Sequence, residues 1–181
     1  MSQPPRTATA GTFFITAVTL NRRRRFQVDA TARLFIETLQ HYRAAGSYKL
    51  FAYVVMPDHV HLLLQTEDIS KSMKDIKGGF AHRMGPKFWQ RGFTDHLILD
   101  REQFDSRRSY IHQNPVQARL AETAQAFPYS SAFRKEREGA DHLWQGRRPC
   151  PSVSTQPIYL SSSVAVENSL TLQTIPIISQ K

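Results

Sequence analysis

The chain has 181 residues, with 24 Lys and Arg against 15 Asp and Glu, so its formal net charge at neutral pH is +9. This length suits one domain with a buried core, and a hydrophobic content of 40% excludes a wholly disordered chain. A single Cys excludes a disulfide framework and a cysteine-rich metal cluster. Without a long apolar run or a secretory signal, we expect a cytoplasmic protein that does not enter a membrane. The positive charge suits either nucleic-acid binding or solubility.

The charge distribution predicts where the folded domain ends. From residue 149 onward only Glu167 and Lys181 are charged, and the segment is rich in Ser, Thr and Pro. Its apolar residues keep neither a helical nor a strand period for long. We therefore predict one domain over residues 1–138, folded from about residue 10, and a weakly ordered tail over residues 139–181.

The first part of the domain reads as a strand and then a helix. Residues 12–20 are β-branched and aromatic, which is typical of a strand. Four consecutive arginines, residues 22–25, follow this strand. Apolar residues at helical spacing then predict a helix that Asp29 caps and Gly46 ends.

The middle of the domain reads as a hairpin followed by a second helix. Residues 48–56 and 59–66 have the apolar pattern of strands, and the short Pro57-Asp58 turn between them predicts an antiparallel pair. Residues 70–85 predict a helix, because its apolar residues fall within one narrow arc at 100° per residue. This stripe consists of Ile69, Met73, Ile76, Phe80 and Met84.

The glycine pair and the last helix complete the pattern. Gly78 and Gly79 interrupt the second helix at a cost of about 1 kcal/mol each relative to Ala, which suggests a close approach there. After a short strand within residues 88–99, Asp100 caps a third helix that runs to Asn114, before Pro115. The element order predicts an α+β, ferredoxin-like fold, with helices packed on one face of an antiparallel sheet.

His59 and His61 form the first candidate chemical pair. Residues i and i+2 of a strand point to the same face, so both imidazoles project together. Neutral imidazole is a ready metal ligand, and two neighbouring ones make half a metal site. The alternative is two strand histidines that hydrogen-bond to neighbouring groups.

The third predicted helix carries a polar face opposite Phe104 and Ile111. At 100° per residue this face spans about 60° and contains Gln103, Arg107, Tyr110 and Asn114. It can be an ordinary solvated face. It can also be a working face, with Tyr as nucleophile, an amide oxygen as metal ligand and Arg as phosphate partner.

Aromatic and basic residues alternate over residues 87–93. Aromatic rings stack on unpaired bases and neighbouring cations hold phosphates, so Trp89 and Phe93 are candidates for nucleic-acid contact. The alternative places both rings in the core.

Four sequence blocks, in order, resemble the REP-associated tyrosine transposases, which are single-tyrosine HUH transposases (HUH denotes His, a hydrophobic residue, His). The blocks are YVVMPDHVHLLLQ, KSMKDIKGGFAHRMG, FWQRGFTDHLI and YIHQNPVQARLAETAQAFPYSSA. The resemblance covers about residues 10–135, and it identifies residues 1–138 as the catalytic domain.

The resemblance implies roles for the candidate residues. His59 and His61 match the residues that bind a divalent cation, Asn114 matches the polar residue that completes the metal site, and Tyr110 matches the nucleophile. The cation is expected to be Mg²⁺ or Mn²⁺, because these ligands leave open positions for water and phosphate oxygens. Zn²⁺ would bind such nitrogen ligands more tightly, so cellular availability decides.

The implied reaction is strand transfer. A tyrosine attacks a phosphate of single-stranded DNA to give a 5′-phosphotyrosyl intermediate, and a DNA hydroxyl then reverses the linkage. The implied substrate is palindromic DNA folded into a hairpin, and the implied protein is a monomer or homodimer. Basic residues would hold phosphates and aromatic residues would stack on bases. We assign these DNA contacts to Arg22, Arg23, Arg24, Arg25, Lys71, Lys74, Lys77, Arg107, Trp89 and Phe93.

Two other functions stay open. A domesticated relative would bind structured single-stranded DNA without cutting it, and a metal-dependent phosphodiesterase would use water and form no covalent species. The tail matches nothing expected of the family, and it is either inert or a cover for the active site.

Overall fold

The computed structural model describes residues 10–133. Its strands and helices are β1 (Gly11–Val18), α1 (Asp29–Ala44), β2 (Lys49–Val55), β3 (His59–Thr66), α2 (Ile69–Met84), β4 (Thr94–Leu97) and α3 (Arg101–Gln117). The predicted tail over residues 139–181 lies outside the described residues, and the domain boundary stays a prediction. Within residues 10–133, no helix combines the length and the apolar character needed to cross a membrane.

The four strands form one antiparallel sheet in the order β2-β3-β1-β4. The central strand β1 pairs along its length with β3, from Gly11 opposite Thr66 to Val18 opposite His59. Its other edge pairs with the short strand β4. The succession βαββαβ with this strand order is the ferredoxin-like arrangement, so the predicted α+β fold class is confirmed.

Each face of the sheet carries its own buried cluster. Phe13 and Ile15 of β1 pack with residues of α1 and α2, whereas Phe14 packs with Phe104 and Ile111 of α3. The expectation that the helices share one face is therefore correct for α1 and α2 and wrong for α3. The reason is that β1 to β3 are apolar on both sides, so both faces must be covered to remove that surface from water.

Helix α2 begins one residue earlier than predicted, after an N-cap at Asp68. The Asp68 carboxylate accepts a hydrogen bond from the Lys71 N–H at 3.0 Å, so the helix begins at Ile69. The predicted close approach is present at Gly79, where a Cβ atom would collide with the ring and hydroxyl of Tyr42 on α1. Gly78 has open space, with no such atom within 4 Å of an added Cβ.

The start of α1 differs from the prediction. The N-cap residue is Val28, which makes no side-chain cap hydrogen bond, and Asp29 is the first helical residue. The Asp29 carboxylate instead accepts from the Tyr129 hydroxyl at 2.7 Å and from the Arg33 guanidinium at 3.0 Å. These partners hold the carboxylate away from the cap position.

Helix α3 is capped as predicted and extends further than predicted. Asp100 accepts from the Gln103 N–H at 2.8 Å. Pro115 lies inside the helix, which continues to Gln117 and closes with a hydrogen bond of 3.0 Å from the Ala118 N–H to the Asn114 carbonyl. A proline inside a helix removes one backbone hydrogen bond. The packing of α3 on the sheet offsets this loss.

The chain returns to the outer edge of β2 after α3. Val54 bridges to Ser130, the Val55 N–H donates to the Tyr129 carbonyl at 2.9 Å, and the Ser131 N–H donates to the Tyr53 carbonyl at 3.0 Å. The segment 129–131 therefore covers the edge of β2.

Candidate active site

The two candidate histidines lie at the start of β3, on the sheet face that α3 covers. Their ring centroids are 4.7 Å apart with an interplanar angle of 73°. His61 lies opposite Thr16 of β1 and His59 lies opposite Val18. The i, i+2 spacing thus brings two imidazoles together, as the strand period predicts.

His61 is buried and held by one ring nitrogen. Its Nδ1 lies 2.9 Å from the Thr16 hydroxyl oxygen, and the residue is 6% exposed. Burial, together with the neighbouring His59, lowers the pKa of His61 to about 3. His61 is therefore neutral at physiological pH, which is the form that binds metal ions, with Nε2 as its remaining ligand atom.

His59 is held in the same way by a carboxylate. Its Nδ1 lies 2.6 Å from Asp58 Oδ1, and Asp58 Oδ2 accepts from the Arg22 guanidinium at 3.1 Å. Burial alone would raise the pKa of Asp58, but the hydrogen bonds from His59 and Arg22 outweigh this and lower it. An ionised carboxylate on Nδ1 leaves Nε2 of His59 as the available ligand atom.

Tyr110 projects from α3 beside these rings. Its ring centroid is 5.4 Å from that of His61 and 5.8 Å from that of Phe14, and the residue is 38% exposed. Phe104 and Ile111, expected opposite the polar face, lie only about 100–120° around the helix from Tyr110 and pack on the sheet, which places Tyr110 at the edge of the buried surface of α3. The side chain therefore lies next to the histidine pair and remains accessible from solvent.

Asn114 follows Tyr110 by one helical turn. It is 9% exposed, and the i, i+4 spacing places it on the same side of α3. Among residues 10–133, no three side chains of the His, Cys, Asp and Glu types group as a metal site. The His pair therefore needs an amide or a substrate oxygen to complete a site, and a divalent cation with open positions fits such a donor set.

Arg107 lies one turn before Tyr110, and its guanidinium carbon is 5.1 Å above the ring of Phe14. The cation–π contact holds the side chain over the sheet, although Arg107 is exposed. A phosphate that reaches Tyr110 would meet this cation.

The arginine run lies beside the histidine end of the sheet. Its two short 3-10 turns are anchored to the β2–β3 turn, where the Phe26 N–H donates to the Pro57 carbonyl at 3.0 Å. Arg25 packs against the ring of Phe88 at 5.3 Å, whereas Arg23 and Arg24 are exposed. The run therefore divides into residues with structural contacts and residues open to a phosphate.

The three lysine candidates lie on α2. Helix α2 covers the sheet face opposite Tyr110, so Lys71 and Lys74 would contact DNA away from the candidate site. Lys77 donates to the backbone carbonyls of Gln90 and Gly92, and burial lowers its pKa. Lys77 therefore lies near the arginine run, since Arg25 packs over the neighbouring Phe88.

The aromatic candidates belong to the first buried cluster. Trp89 is 9% exposed and packs against several phenylalanines, among them Phe26 and Phe88. Phe93 is half-buried against the same cluster. Both placements favour the core alternative over base stacking.

Three residues of the site were not singled out from the sequence: Phe14, Thr16 and Asp58. Phe14 and Thr16 lie on the α3 face of β1, and only the register with β3 places them beside His61. For Asp58, its position directly before His59 was the one feature of the sequence that could have predicted the hydrogen bond between them.

Comparison with known proteins relates the chain to transposases. A family model described as IS200-like transposase matches residues 9–114. A candidate REP-associated tyrosine transposase of Haemophilus influenzae is 26% identical over 146 residues, which cover 68% of this chain and 81% of that protein.

A solved structure of a REP-associated tyrosine transposase bound to a REP hairpin has a similar fold. It matches with a TM-score of 0.64 and 26% identity, over 81% of this chain and 92% of that one. The resemblance seen in the four sequence blocks is thereby confirmed. Because the family model spans more than half of the sequence, the chain belongs to the IS200-like transposase family.

Proposed function

We propose that the protein cleaves and rejoins single-stranded hairpin DNA, with Tyr110 as the nucleophile and with Mg²⁺ or Mn²⁺ held by His59, His61 and Asn114. The observation that carries the proposal is the contact of Tyr110 with His61, at 5.4 Å between ring centroids. A tyrosine hydroxyl beside two imidazoles that can bind a metal ion supports a metal-assisted attack of tyrosine on a phosphodiester.

The bound cation would polarise the scissile phosphate and so increase its susceptibility to attack. The Tyr110 oxygen forms a bond to phosphorus and gives up its proton, while the bond from phosphorus to the 3′ oxygen breaks. The 3′ oxygen leaves and takes up a proton as a hydroxyl. Attack by a DNA 3′ hydroxyl on the tyrosyl phosphate reverses these changes, so the phosphodiester energy is retained without ATP.

Electrostatic support would come from Arg107 and from the exposed arginines. Arg107 lies one turn from Tyr110, where it can neutralise the charge that develops on the phosphate. Arg23 and Arg24 lie near the histidine end of the sheet and suit the duplex phosphates of a hairpin. The related transposase whose structure contains a REP hairpin supports this choice of substrate.

The test is a covalent-adduct assay with palindromic DNA from the sequence that flanks the gene. The purified protein should cleave a single-stranded hairpin with Mg²⁺ or Mn²⁺ and become attached to the product, seen as a shifted band on a denaturing gel. Tyr110→Phe should abolish the adduct, whereas Tyr129→Phe, which alters a tyrosine bound to Asp29, should retain it.

The other outcomes identify the alternatives. An adduct formed by Tyr110→Phe would show that another residue is the nucleophile. Cleavage without any adduct would indicate a phosphodiesterase that uses water. Salt-sensitive binding that survives both His59→Ala and Tyr110→Phe, with no cleavage under any metal, would indicate a DNA-binding module.

A further inference from the structure

We propose that Asp58 is a positioning residue that fixes His59 with its proton on Nδ1 and its Nε2 lone pair toward the cation, and that Arg22 in turn steadies Asp58. The inference rests on the proposed function, since it assigns the support of one ligand of that site. It also changes the role of Arg22 from a phosphate contact to a structural partner of the site.

The contact between Asp58 and His59 is short and sheltered. Asp58 Oδ1 lies 2.6 Å from His59 Nδ1, and the two side chains are 22% and 19% exposed. An ionised carboxylate can only accept, so the imidazole must donate from Nδ1. The neutral ring then has its lone pair on Nε2, which is the tautomer that a ligand at this position needs.

The backbone around Arg22 is shaped for this contact. Asn21 and Arg22 have φ angles of 56° and 51°, in the left-handed region that few side chains adopt. The Thr19 N–H donates to the Asp58 carbonyl at 2.9 Å, which joins this turn to the β2–β3 turn. Strained backbone is retained where surrounding contacts impose it, and here it delivers Arg22 to the second oxygen of Asp58.

The two supports differ in strength. Arg22 is 69% exposed in this ion pair, and exposed pairs contribute little. The Asp58–His59 hydrogen bond is the sheltered one. Loss of Asp58 should therefore affect His59 strongly, and loss of Arg22 should affect it weakly.

The paired histidine gives an internal reference. His61 is held at Nδ1 by the Thr16 hydroxyl rather than by a carboxylate. A change at Asp58 should therefore alter the tautomer of His59 and leave that of His61 unchanged.

The first measurement is the tautomer of each histidine in metal-free, ¹⁵N-labelled protein, from long-range ¹H–¹⁵N correlation spectra at alkaline pH. His59 should show Nδ1–H in the unaltered protein. Asp58→Ala should move it toward Nε2–H, which free histidine prefers, while Asp58→Asn should retain Nδ1–H because its amide oxygen still accepts. An unchanged His59 tautomer in Asp58→Ala would overturn the proposal.

The second measurement is Mn²⁺ affinity by electron paramagnetic resonance, without DNA. Asp58→Ala should weaken binding by about 10- to 100-fold, as loss of such an outer partner typically does, with Asp58→Asn weakened less and Arg22→Ala least. Asp105→Ala is the matched control, since it removes another Asp–Arg pair, on α3, and should change neither affinity nor tautomer. Equal affinity of Asp58→Ala and the unaltered protein would contradict the proposal.

The two proposals fail separately. If the unaltered protein forms no adduct with hairpin DNA while the His59 tautomer depends on Asp58, the proposed function fails and the support of His59 stands. If the adduct forms while Asp58→Ala changes neither the His59 tautomer nor the Mn²⁺ affinity, the proposed function stands and the positioning role fails.

Discussion

The ring of Phe14 stands edge-on to the ring of Tyr110, with 5.8 Å between the centroids and an interplanar angle of 80°. The same ring stacks on His61 at 5.3 Å and lies beneath the guanidinium of Arg107. One buried phenylalanine thus contacts the candidate nucleophile, a candidate metal ligand and a candidate phosphate partner. Its position fixes their mutual geometry.

Phe14→Leu should lower the cleavage rate about 10-fold or more, because a small displacement of reacting groups is costly. The change should lower the free energy of unfolding by only about 1 kcal/mol, since it exchanges one large apolar side chain for another. Phe13→Leu is the control, because Phe13 is equally buried on the opposite face of the sheet. Single-turnover kinetics and urea unfolding of both variants check this, and equal rates in the two would contradict it.

The exposed arginines should contribute to binding rather than to chemistry. We expect Arg23→Ala with Arg24→Ala to weaken hairpin binding at all sequences. The slope of log affinity against log salt should flatten by up to about 1.4–1.8 if both residues contact phosphates. Fluorescence anisotropy across a salt series measures this. Unchanged binding with lost cleavage would overturn the division between binding and catalysis.

The two adjacent glycines of α2 should respond oppositely to alanine. Gly79→Ala should destabilise the protein, because a Cβ there collides with Tyr42 of α1. Gly78→Ala should raise the free energy of unfolding by about 0.5–1 kcal/mol. The added Cβ has no atom within 4 Å to collide with, and alanine reduces the conformational entropy of the unfolded chain. Thermal unfolding of the pair checks the prediction, and destabilisation of both to the same extent would refute it.

Burial of neutral His61 should make the metal-free protein acid-sensitive. As the pH falls below 6.5 the unfolded chain protonates this histidine, whereas the folded chain does not until about pH 3. The free energy of unfolding is therefore unaffected by this histidine above pH 6.5. Between pH 6.5 and about pH 3 it falls by up to about 1.4 kcal/mol per pH unit. Unfolding of the protein and of His61→Gln in EDTA measures this contribution. The variant should lose less stability in acid, and identical pH profiles would contradict the assignment.

Local sequence patterns were sufficient to predict the helices and strands and the face of each on which the site residues lie. The strand period brings His59 and His61 to one face, and the helical period places Tyr110 beside the buried residues Phe104 and Ile111. The cap at Asp100 was also predictable, since its partner lies in the next turn.

Contacts distant in sequence decided what the local patterns could not. The side of the sheet that α3 covers depends on which surface the other helices leave open. Trp89 occupies the core because Phe26 and Phe88 surround it, although its basic neighbours also suit a stacking platform. Asp29 is of a residue type favoured at helix N-caps, but its carboxylate accepts a hydrogen bond from the hydroxyl of Tyr129, one hundred positions away.

The segment 129–131, which hydrogen-bonds to the outer edge of β2, determines the shortest chain that can fold without leaving that edge unpaired. The matched family region ends at residue 114, yet the outer edge of β2 hydrogen-bonds to Tyr129 and Ser131. A chain shortened to the family region would leave this edge of a largely apolar, buried strand unpaired and open to pairing with another copy. Expression of the domain for crystallisation should therefore extend past Ala132, even though every proposed catalytic group lies before it.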